Sequence, residues 1–497
     1  MLDIYRVGNT VEIEDPSPAL LRILEDVLSY KRIEFVYAKG RRGGKFKSRL
    51  VDCFDYIEDS DGILPPRVAI MAGHLSRLAE ALKHNSIGFQ LHSEGLPSDK
   101  LFVPQWNKVS IKEFRYRQKE ILEAMSAATC GRFRCPTGYG KTALIESSCE
   151  MWRKATIDIV TPSVEVTEQI YQHLRAKLPS VGLVTGAKKR DVDSRVLVLS
   201  GKSMHKGRAK TCDVLIFDEV HEAGTDDYIE RIAEYRRARR FGLSANLDDR
   251  QDKADFELEG LFGPTLVDIS YQEAVEHGCV VPIRVTWLPV IMDENPCGGY
   301  SASVVRERHG IWRNNTRNEI IANYLQALPP SEQVLVTVAT LDHAMHLKKL
   351  MPEYTLCYAE KDYVTRRKWI RKGCITTSEP EMTRQRRALL KQQFSDGKLL
   401  KVIATSVWNR GVDFRNLPIL VRADAKSTKT ADTQIPGRVA RIGDCADKPF
   451  GCVVDLMDQF DETFKRKAEM RRRHYKSFGW TQILPNSKSR YHQSMMF

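Results

Sequence analysis

The chain has 497 residues, which suits two or three domains of about 150 residues each. Its hydrophobic fraction of 42% suffices for buried cores, and no run of about 18 apolar residues is present, so no membrane span is expected. The formal charge of +13 predicts a polyanionic partner, although charge alone does not separate nucleic acid from a membrane surface.

The first 104 residues carry no catalytic motif and are predicted to form a small α+β module. The expected elements are strands at 10–14 and 33–38, helices at 19–30 and 69–84, and a linker at 97–104. A basic, glycine-rich segment from Lys39 to Lys47 follows the second strand. Two interpretations of this segment stay open, namely a contact with a nucleic-acid backbone and a solvated turn.

The cysteines and the N-terminus indicate the compartment. Eleven cysteines are scattered without Cys-x-x-Cys or metal-ligand spacing, which is typical of reduced thiols. Alternatively, each is simply a small buried apolar side chain. Residues 1–10 lack a signal-peptide pattern, and we therefore expect a cytoplasmic protein.

Residues 135–142, Cys-Pro-Thr-Gly-Tyr-Gly-Lys-Thr, have the pattern of a phosphate-binding loop between a strand at 131–135 and a helix at 143–152. Glycines let backbone N–H groups surround a polyphosphate, the lysine reaches the β- and γ-phosphates, and the threonine binds Mg²⁺. The nucleotide-binding residues predicted here are Gly138, Tyr139, Gly140, Lys141 and Thr142. Cys135 replaces the first glycine of the full pattern, and the alternative is an ordinary glycine-rich turn.

Residues 214–221 form a buried-strand pattern that ends in two carboxylates. Asp218 at the strand end is expected to hold Mg²⁺ through water, and Glu219 to orient and deprotonate the attacking water. His221 is expected to sense the γ-phosphate or the neighbouring domain. Alone, the motif would be a solvated turn; downstream of a phosphate loop, it predicts a nucleotide hydrolase.

A basic segment at 361–372 lies between a strand at 355–358 and a helix after residue 379. Aromatic side chains among arginines and lysines suit base stacking and phosphate contact. We expect Arg366, Arg367 and Trp369 to contact nucleic acid, with Tyr363 as the second aromatic candidate. The alternative is a solvated amphipathic helix with Trp369 packed on its lobe.

Gln434, Arg438 and Arg441 recur at i, i+4 and i+7, which predicts one face of a helix start. Arginines aligned in this way can grip a γ-phosphate, and the alternative is a solvated basic helix. A basic helix at 464–476 and a polar, fraying tail from residue 480 are expected at the C-terminus.

These motifs, in this order, resemble those of superfamily 2 helicases of the DExH type over residues 105–460. The resemblance implies ATP and Mg²⁺ as cofactors and arginine fingers at Arg438 and Arg441. It also implies that Gln118 reads the adenine edge and that Arg115 stacks on the ring.

The same resemblance implies further contacts. The residues expected to contact the nucleic-acid backbone are Thr161, Pro162, Thr185, Gly186 and Thr405. Gly411 and Asp413 are expected to contact the nucleotide. Residues 243–246, Leu-Ser-Ala-Asn, stand where the family has Ser-Ala-Thr, and Asn246 replaces the threonine.

The predicted fold class is α/β, with two RecA-like lobes built on parallel sheets and a small α+β N-terminal domain. The predicted divisions are residues 1–104 for the N-terminal domain, 105–282 for the ATP-binding lobe, 283–460 for the second lobe, and 461–497 for a basic helix and tail.

The sequence therefore predicts an ATP-dependent DNA helicase or translocase, similar in layout to phage recombination helicases of the UvsW type. That likeness implies branched or forked DNA as the partner and a phage-infected cytoplasm as the location. An RNA helicase, a double-strand translocase without strand separation, and a non-hydrolysing scaffold are the alternatives. A monomer is favoured, and no membrane partner is expected.

Overall fold

The structure is a computed structural model that describes residues 1–37, 44–58, 65–247, 253–360, 363–373, 375–377, 379–408, 414, 416–442 and 448–485. Two compact units are present. The first comprises Met1–Pro136 and Gly140–Ser270, and the second comprises Tyr271–Phe497 and Thr137–Tyr139. No helix in the described ranges has both the length and the apolar character needed to cross a bilayer. The predicted four-part division of the chain stays a prediction.

The N-terminal part of the first unit has a five-stranded sheet in the order β5-β6-β2-β1-β7 and a separate β3–β4 ribbon. Its strands are β1 (Leu2–Val7), β2 (Thr10–Glu14), β3 (Ser29–Tyr37), β4 (Gly44–Asp52), β5 (Phe54–Ile57), β6 (Arg67–Met71) and β7 (Phe89–Glu94). Its helices are α1 (Pro18–Leu28) and α2 (Leu75–His84). Ser17 caps α1 by accepting the Leu20 N–H at 3.2 Å, and Pro18 takes the first helical position, which needs no N–H.

One sequence-based expectation for this region is wrong. Residues 69–71 do not belong to a helix; they end β6, which pairs with β2, and α2 begins only at Leu75. Residues 97–104, the predicted linker, include a 3₁₀ turn at Asp99–Phe102, in which Phe102 is buried. The Arg239 guanidinium lies 3.7 Å from the centre of the Phe102 ring, which holds this turn on the first lobe.

Ion pairs also hold the N-terminal domain on that lobe. Arg32 Nη1 lies 3.2 Å from Glu257 Oε2, and both side chains are nearly buried. Arg77 binds Glu259 through two nitrogens, with Nε donating to Oε1 at 3.0 Å and Nη2 donating to the same oxygen at 2.8 Å. Burial and two-point geometry make such pairs more specific than exposed ones. The N-terminal domain is thus part of the first unit.

The first lobe has an eight-stranded sheet in the order β11-β10-β12-β9-β13-β14-β8-β15, parallel except for β11. Its strands are β8 (Cys130–Arg134), β9 (Ile157–Thr161), β10 (Val181–Val184), β11 (Lys189–Arg190), β12 (Val196–Ser200), β13 (Val214–Asp218), β14 (Arg239–Ser244) and β15 (Thr265–Asp268). Its helices are α3 (Gln118–Ala127), α4 (Lys141–Met151), α5 (Val164–Arg175), α6 (Asp226–Ala233) and α7 (Asp255–Phe262). The central strands β9, β12, β13 and β14 are buried throughout, as expected for a parallel sheet covered on both faces.

The second unit has a seven-stranded parallel sheet in the order β18-β19-β17-β20-β21-β16-β22. Its strands are β16 (Ile283–Val290), β17 (Val334–Thr337), β18 (Thr355–Cys357), β19 (Lys401–Ala404), β20 (Ile419–Arg422), β21 (Gly451–Asp458) and β22 (Thr481–Ile483). Its helices are α8 (Tyr271–Glu276), α9 (Ser303–Glu307), α10 (Asn315–Gln326), α11 (Leu341–Leu350), α12 (Tyr363–Arg371), α13 (Arg384–Ser395), α14 (Lys429–Gln434) and α15 (Glu462–Ser477). A π-helical turn, Arg308–Trp312, follows α9.

The prediction that the tail frays from residue 480 onward is wrong for residues 480–483. Trp480 is buried, and residues 481–483 form β22, which pairs with β16. A stacked contact between the Trp480 and Tyr475 rings, 5.1 Å between centroids, holds this turn on α15. Residues 486–497 lie outside the described residues.

Candidate active site

The loop from Cys135 to Gly140 joins β8 to α4 at the carboxyl edge of the first parallel sheet. Gly138 and Gly140 have φ values of +89° and +113°, which only glycine adopts without strain. The Cys135 N–H donates to the Ser244 carbonyl at 2.8 Å and fixes the start of the loop on β14. The backbone thus has the left-handed turns that a phosphate-binding loop requires.

Lys141, the first residue of α4, points at the acidic end of β13. Its Nζ lies 2.8 Å from Glu219 Oε1, and both side chains are mostly buried. Burial lowers the pKa of Lys141, but the Glu219 and Asp218 carboxylates outweigh burial and raise it above its ordinary value. The lysine is therefore a fixed positive charge at the mouth of the loop.

Asp218 is the last residue of β13, and it is buried. Burial, reinforced by the neighbouring Glu219 charge, raises the pKa of its carboxyl above the ordinary range. Its Oδ1 atom is buried and has no hydrogen-bond partner among the described residues. Thr142, the second residue of α4, is exposed. An unpartnered carboxylate oxygen and an accessible hydroxyl fit Mg²⁺, which prefers oxygen ligands and retains water.

Glu219 follows β13 in the left-handed region, with φ at +56°, which is uncommon for a residue with a side chain. Such strain concentrates at functional sites, where the surrounding structure holds it. The turn carries the Glu219 carboxylate back toward Lys141 and starts the 3₁₀ segment Val220–Ala223.

His221 connects the acidic motif to the end of β14. Its Nδ1 lies 2.8 Å from Ser244 Oγ. The Ser244 hydroxyl donates to the Asn246 carbonyl at 2.8 Å, and the Asn246 N–H donates back to it at 3.0 Å. Asn246 participates through its backbone, so replacing the expected threonine leaves these links intact. Ser244 was absent from the predicted site residues, although its Ser-Ala-Asn segment after a buried strand was a usable signal.

Gln118 and Arg115, to which the resemblance assigns adenine recognition, lie beside the phosphate loop. The Arg115 N–H donates to Gln118 Oε1 at 3.0 Å. A Cβ atom placed on Gly140 would lie 2.9 Å from Gln118 Nε2 and 3.9 Å from Arg115 Nη1. The amide of Gln118 is thereby held against the loop, while Arg115 is exposed.

The second unit carries the predicted arginine segment, but not as a helix start. Gln434 is the last residue of α14, Pro436–Ala440 form a 3₁₀ turn that includes Arg438, and Arg441 is extended. Pro436 is the cause, because proline lacks the N–H that continues a helix. Arg438 is buried and Arg441 partly buried, so neither lies on a solvated helix face.

Two protein-family models match the chain. Residues 111–249 match the type III restriction enzyme, res subunit, and residues 316–443 match the helicase conserved C-terminal domain. The matches cover more than half of the chain between them, and they include the phosphate loop, the acidic motif and the arginine segment.

The chain belongs to helicase superfamily 2.

Solved structures of other helicases share the fold. The helicase Lhr of Mycobacterium smegmatis, bound to ssDNA and AMP-PNP, aligns with a TM-score of 0.50 and 16% identity. The alignment covers 77% of this chain but only 50% of the Lhr chain. Saccharomyces cerevisiae Dbp5 bound to RNA and ADP BeF3 aligns with a TM-score of 0.52 and 15% identity, covering 78% of this chain and 94% of Dbp5. At these identities the likeness establishes the fold, two RecA-like lobes.

T4 UvsW aligns over 97% of this helicase and 98% of its own chain, at 15% identity and a TM-score of 0.41. A score that low carries no functional argument, so the likeness to UvsW-type helicases stays a prediction. No curated protein sequence matches the helicase.

The threonines that were expected to contact nucleic acid are buried in this helicase. Thr161 ends β9, and its hydroxyl lies 2.7 Å from the Thr167 hydroxyl at the start of α5. Thr185 closes the β10–β11 turn by accepting the Lys188 N–H at 3.0 Å. Thr405 is buried after β19 and donates its own N–H to the Cys357 carbonyl at 3.0 Å. These side chains shape turns at the carboxyl ends of strands.

Neighbouring positions are more accessible. A Cβ atom on Gly186 would meet nothing within 4 Å, and Pro162 is partly exposed. Gly411 and Asp413, the other predicted nucleotide contacts, lie outside the described residues.

The basic segment of the second lobe contains α12. Trp369, a residue of this helix, is partly buried. Its ring meets the buried Tyr358 ring edge-on, with 6.1 Å between centroids. A guanidinium nitrogen of Arg366 donates to the Glu379 carbonyl. Arg367 and Lys368 are exposed. This arrangement favours the alternative in which Trp369 packs on its own lobe, and residues 361–362 lie outside the described residues.

Proposed function

We propose that this superfamily 2 helicase is an ATP-dependent DNA helicase or translocase that acts on branched or forked DNA. The observation that carries the ATPase part is the contact between Lys141 and Glu219, 2.8 Å apart beside Asp218. Phosphoryl transfer to water requires a cation at the phosphates, a carboxylate that holds the metal and a base for the water, and Lys141, Asp218 and Glu219 offer these three groups at one place.

Each residue of the ATPase site has a proposed role. Lys141 binds the β- and γ-phosphates, and Glu219 accepts the proton of the attacking water. Thr142 and Asp218 hold Mg²⁺, which supplies neutralisation of phosphate charge when bound. Gln118 holds the adenine, with Arg115 against the ring.

The arginine segment has a proposed role in turnover. Arg438 and Arg441, with Gln434 beside them, would stabilise the charge that develops on the γ-phosphate. Their burial or partial burial supports this role, because a guanidinium held in a fixed position needs little reorganisation during reaction. His221 would pass the state of the γ-phosphate to β14 through Ser244, to which it is hydrogen-bonded.

The proposed nucleic-acid surface uses turns at the carboxyl ends of strands. Pro162 and Gly186 of the first lobe, which are accessible, would contact phosphates of the nucleic-acid backbone, and the buried side chains of Thr161 and Thr185, with Thr405 in the second lobe, would fix the turns that form this surface. On α12, exposed cations such as Arg367 and Lys368 would bind phosphates, with Arg366 and Trp369 anchoring the helix. The net charge of +13 supports a polyanionic substrate.

DNA is proposed over RNA because the ATP-binding lobe matches a restriction-enzyme family. The fold neighbours do not decide the substrate, since Lhr was solved with ssDNA and Dbp5 with RNA. The test measures ATP hydrolysis with single-stranded, duplex, forked and four-way DNA and with matching RNAs. Stimulation by forked or four-way DNA above all RNAs is expected, and stimulation by RNA alone would contradict the proposal.

A double-strand translocase without strand separation is the second candidate, and the same restriction-enzyme match favours it. Strand displacement on a forked duplex with a labelled strand separates the two. ATP-dependent release of the strand supports a helicase. Duplex-stimulated ATPase without release supports the translocase.

A further inference from the structure

A cluster of buried polar side chains joins the C-terminal helix α15 to α14, the helix that leads into the arginine segment. The α15 cluster consists of Arg422, Asp432, Asp455, Arg471, His474 and Tyr475. Arg422, Asp432, Asp455, Arg471 and Tyr475 are all 0% exposed. Buried charges persist only when they are paired and hydrogen-bonded, so the positions of these groups depend on one another.

One half of the α15 cluster attaches α15 to the sheet. Arg471 Nε donates to Asp455 Oδ2 on β21 at 3.0 Å. The Tyr475 hydroxyl, one helical turn further on, donates to the same oxygen at 2.7 Å. It also accepts from Arg422 Nη1 at 2.7 Å, which extends the cluster to the end of β20.

The other half of the α15 cluster holds Asp432 on α14. Arg422 Nη1 donates to Asp432 Oδ1 at 2.6 Å. His474 Nδ1, on α15, lies 2.6 Å from Asp432 Oδ2. Both carboxylate oxygens are therefore held, one from the sheet and one from the C-terminal helix.

Asp432 lies two residues before Gln434, the last residue of α14, and the chain then enters the 3₁₀ turn that contains Arg438. The helix α14 has only 6 residues, too few to be stable by itself. Its orientation must therefore come from side-chain contacts, and Asp432 is its only fully buried charged residue in the described part of the chain. Displacement of Asp432 would move Gln434 and the arginines with it.

We propose that α15 is a positioning element for ATP hydrolysis, in which His474 orients Asp432 and through it the segment that carries Gln434 and Arg438. This inference rests on the proposed ATPase function. His474 touches neither nucleotide nor metal, so it is a positioning residue, and its loss should slow turnover without weakening nucleotide binding.

His474 is the residue to change because it lies at the edge of the α15 cluster, with 24% of its side chain exposed. His474→Ala removes one donor and leaves the buried pair of Arg422 and Asp432 intact. His474→Asn keeps a side-chain N–H close to the position of Nδ1. Arg472→Ala is the matched control, because Arg472 is exposed on the same helix and its loss also removes a basic side chain.

The experiment measures kcat and KM for ATP, with single-stranded DNA present, together with the melting temperature of each variant. Loss of one charge-assisted hydrogen bond predicts a kcat for His474→Ala about tenfold or more below wild type. KM and melting temperature should stay close to wild type, His474→Asn should recover most of the rate, and Arg472→Ala should be unaffected. Tyr475→Phe, which removes only the hydroxyl between Asp455 and Arg422, is a second variant that should also lower kcat.

Two results overturn the positioning role. One is a wild-type kcat in both His474→Ala and Tyr475→Phe. The other is a fall in kcat that tracks the melting temperature and is not recovered by His474→Asn, which would make the α15 cluster purely structural. A wild-type protein without ATPase activity would instead refute the proposed function itself, so the two failures are distinguishable.

Discussion

Glu219→Gln tests the ATPase site most sharply, because Glu219 has two roles in the proposed mechanism. It is the proposed base for the attacking water, and it is also the partner of Lys141 at 2.8 Å before a nucleotide arrives. ATP must therefore draw Lys141 away from Glu219 in order to bind. The substitution should abolish turnover and, in the same protein, strengthen ATP binding.

The size of both effects follows from the contact. A hydrogen bond to a charged group is worth about 1.5–3 kcal/mol. Lys141 stays charged when Glu219 becomes an amide, so the substitution moves the contact from the upper toward the lower end of that range, a loss of up to about 1.5 kcal/mol. A difference of 1.4 kcal/mol is tenfold, which predicts ATP binding up to about tenfold tighter. Loss of a general base costs about 10²–10⁴ in rate.

Equilibrium ATP binding and steady-state hydrolysis are measured on the same preparations of wild type, Glu219→Gln and Glu230→Gln. Glu230 is an exposed residue of α6, and its amide variant controls for the loss of one negative charge. Turnover within about tenfold of wild type in Glu219→Gln would refute the base assignment. Weaker ATP binding in that variant would refute the competition between Glu219 and the phosphates for Lys141.

The remaining predictions concern the arginines, the partner and α12. Single alanine variants of Arg438 and Arg441 should lower kcat far more than they raise KM. If each residue acts as an arginine finger, kcat should fall by a factor of about 10³ or more, and a fall of less than about tenfold would show that the two arginines are structural. DNA affinity should fall with salt with a log–log slope of about −4 to −7, as for five to eight phosphate contacts, and a salt-independent affinity contradicts this. Trp369 is only partly buried on Tyr358, so Trp369→Ala should lower the free energy of unfolding by about 1–3 kcal/mol, less than the loss of a fully buried aromatic side chain. Unwinding activity and melting temperature should then fall together. A stable variant that has lost only unwinding would instead support base stacking.

The sequence was informative where local chemistry determines the structure. A strand at 10–14 and the strand–loop–helix around Lys141 are visible because burial patterns and glycines act over a few residues. The end of β13 was also predictable, since five buried apolar or acidic residues precede a turn. The parallel strands then bring Lys141 and Glu219 together, although they lie 78 positions apart in the chain.

The sequence was misleading where tertiary contacts decide. The run at 69–84 has a helical pattern, but pairing with β2 makes its first residues a strand. The i, i+4, i+7 spacing of Gln434, Arg438 and Arg441 predicted a helix face, and Pro436 breaks that helix. A local sequence pattern does not show which distant strand will pair with a segment through backbone hydrogen bonds.

The α15 cluster illustrates the limit most clearly. Arg471, Arg472 and Arg473 are indistinguishable in sequence, yet only Arg471 is buried. Its partner Asp455 lies on β21, and the two become neighbours only when α15 packs on the sheet. A run of basic residues therefore predicts a solvated surface, and the pattern does not show that one of its members, Arg471, is buried in an ion pair.

The most direct test of the central claim measures ATP hydrolysis by wild type and Lys141→Ala across the panel of DNA and RNA structures. Hydrolysis that forked or four-way DNA stimulates in wild type, and that is absent from the folded Lys141→Ala variant, is the result we predict. Equal hydrolysis by both proteins, or no hydrolysis by folded wild type with any nucleic acid, would contradict the assignment of this site.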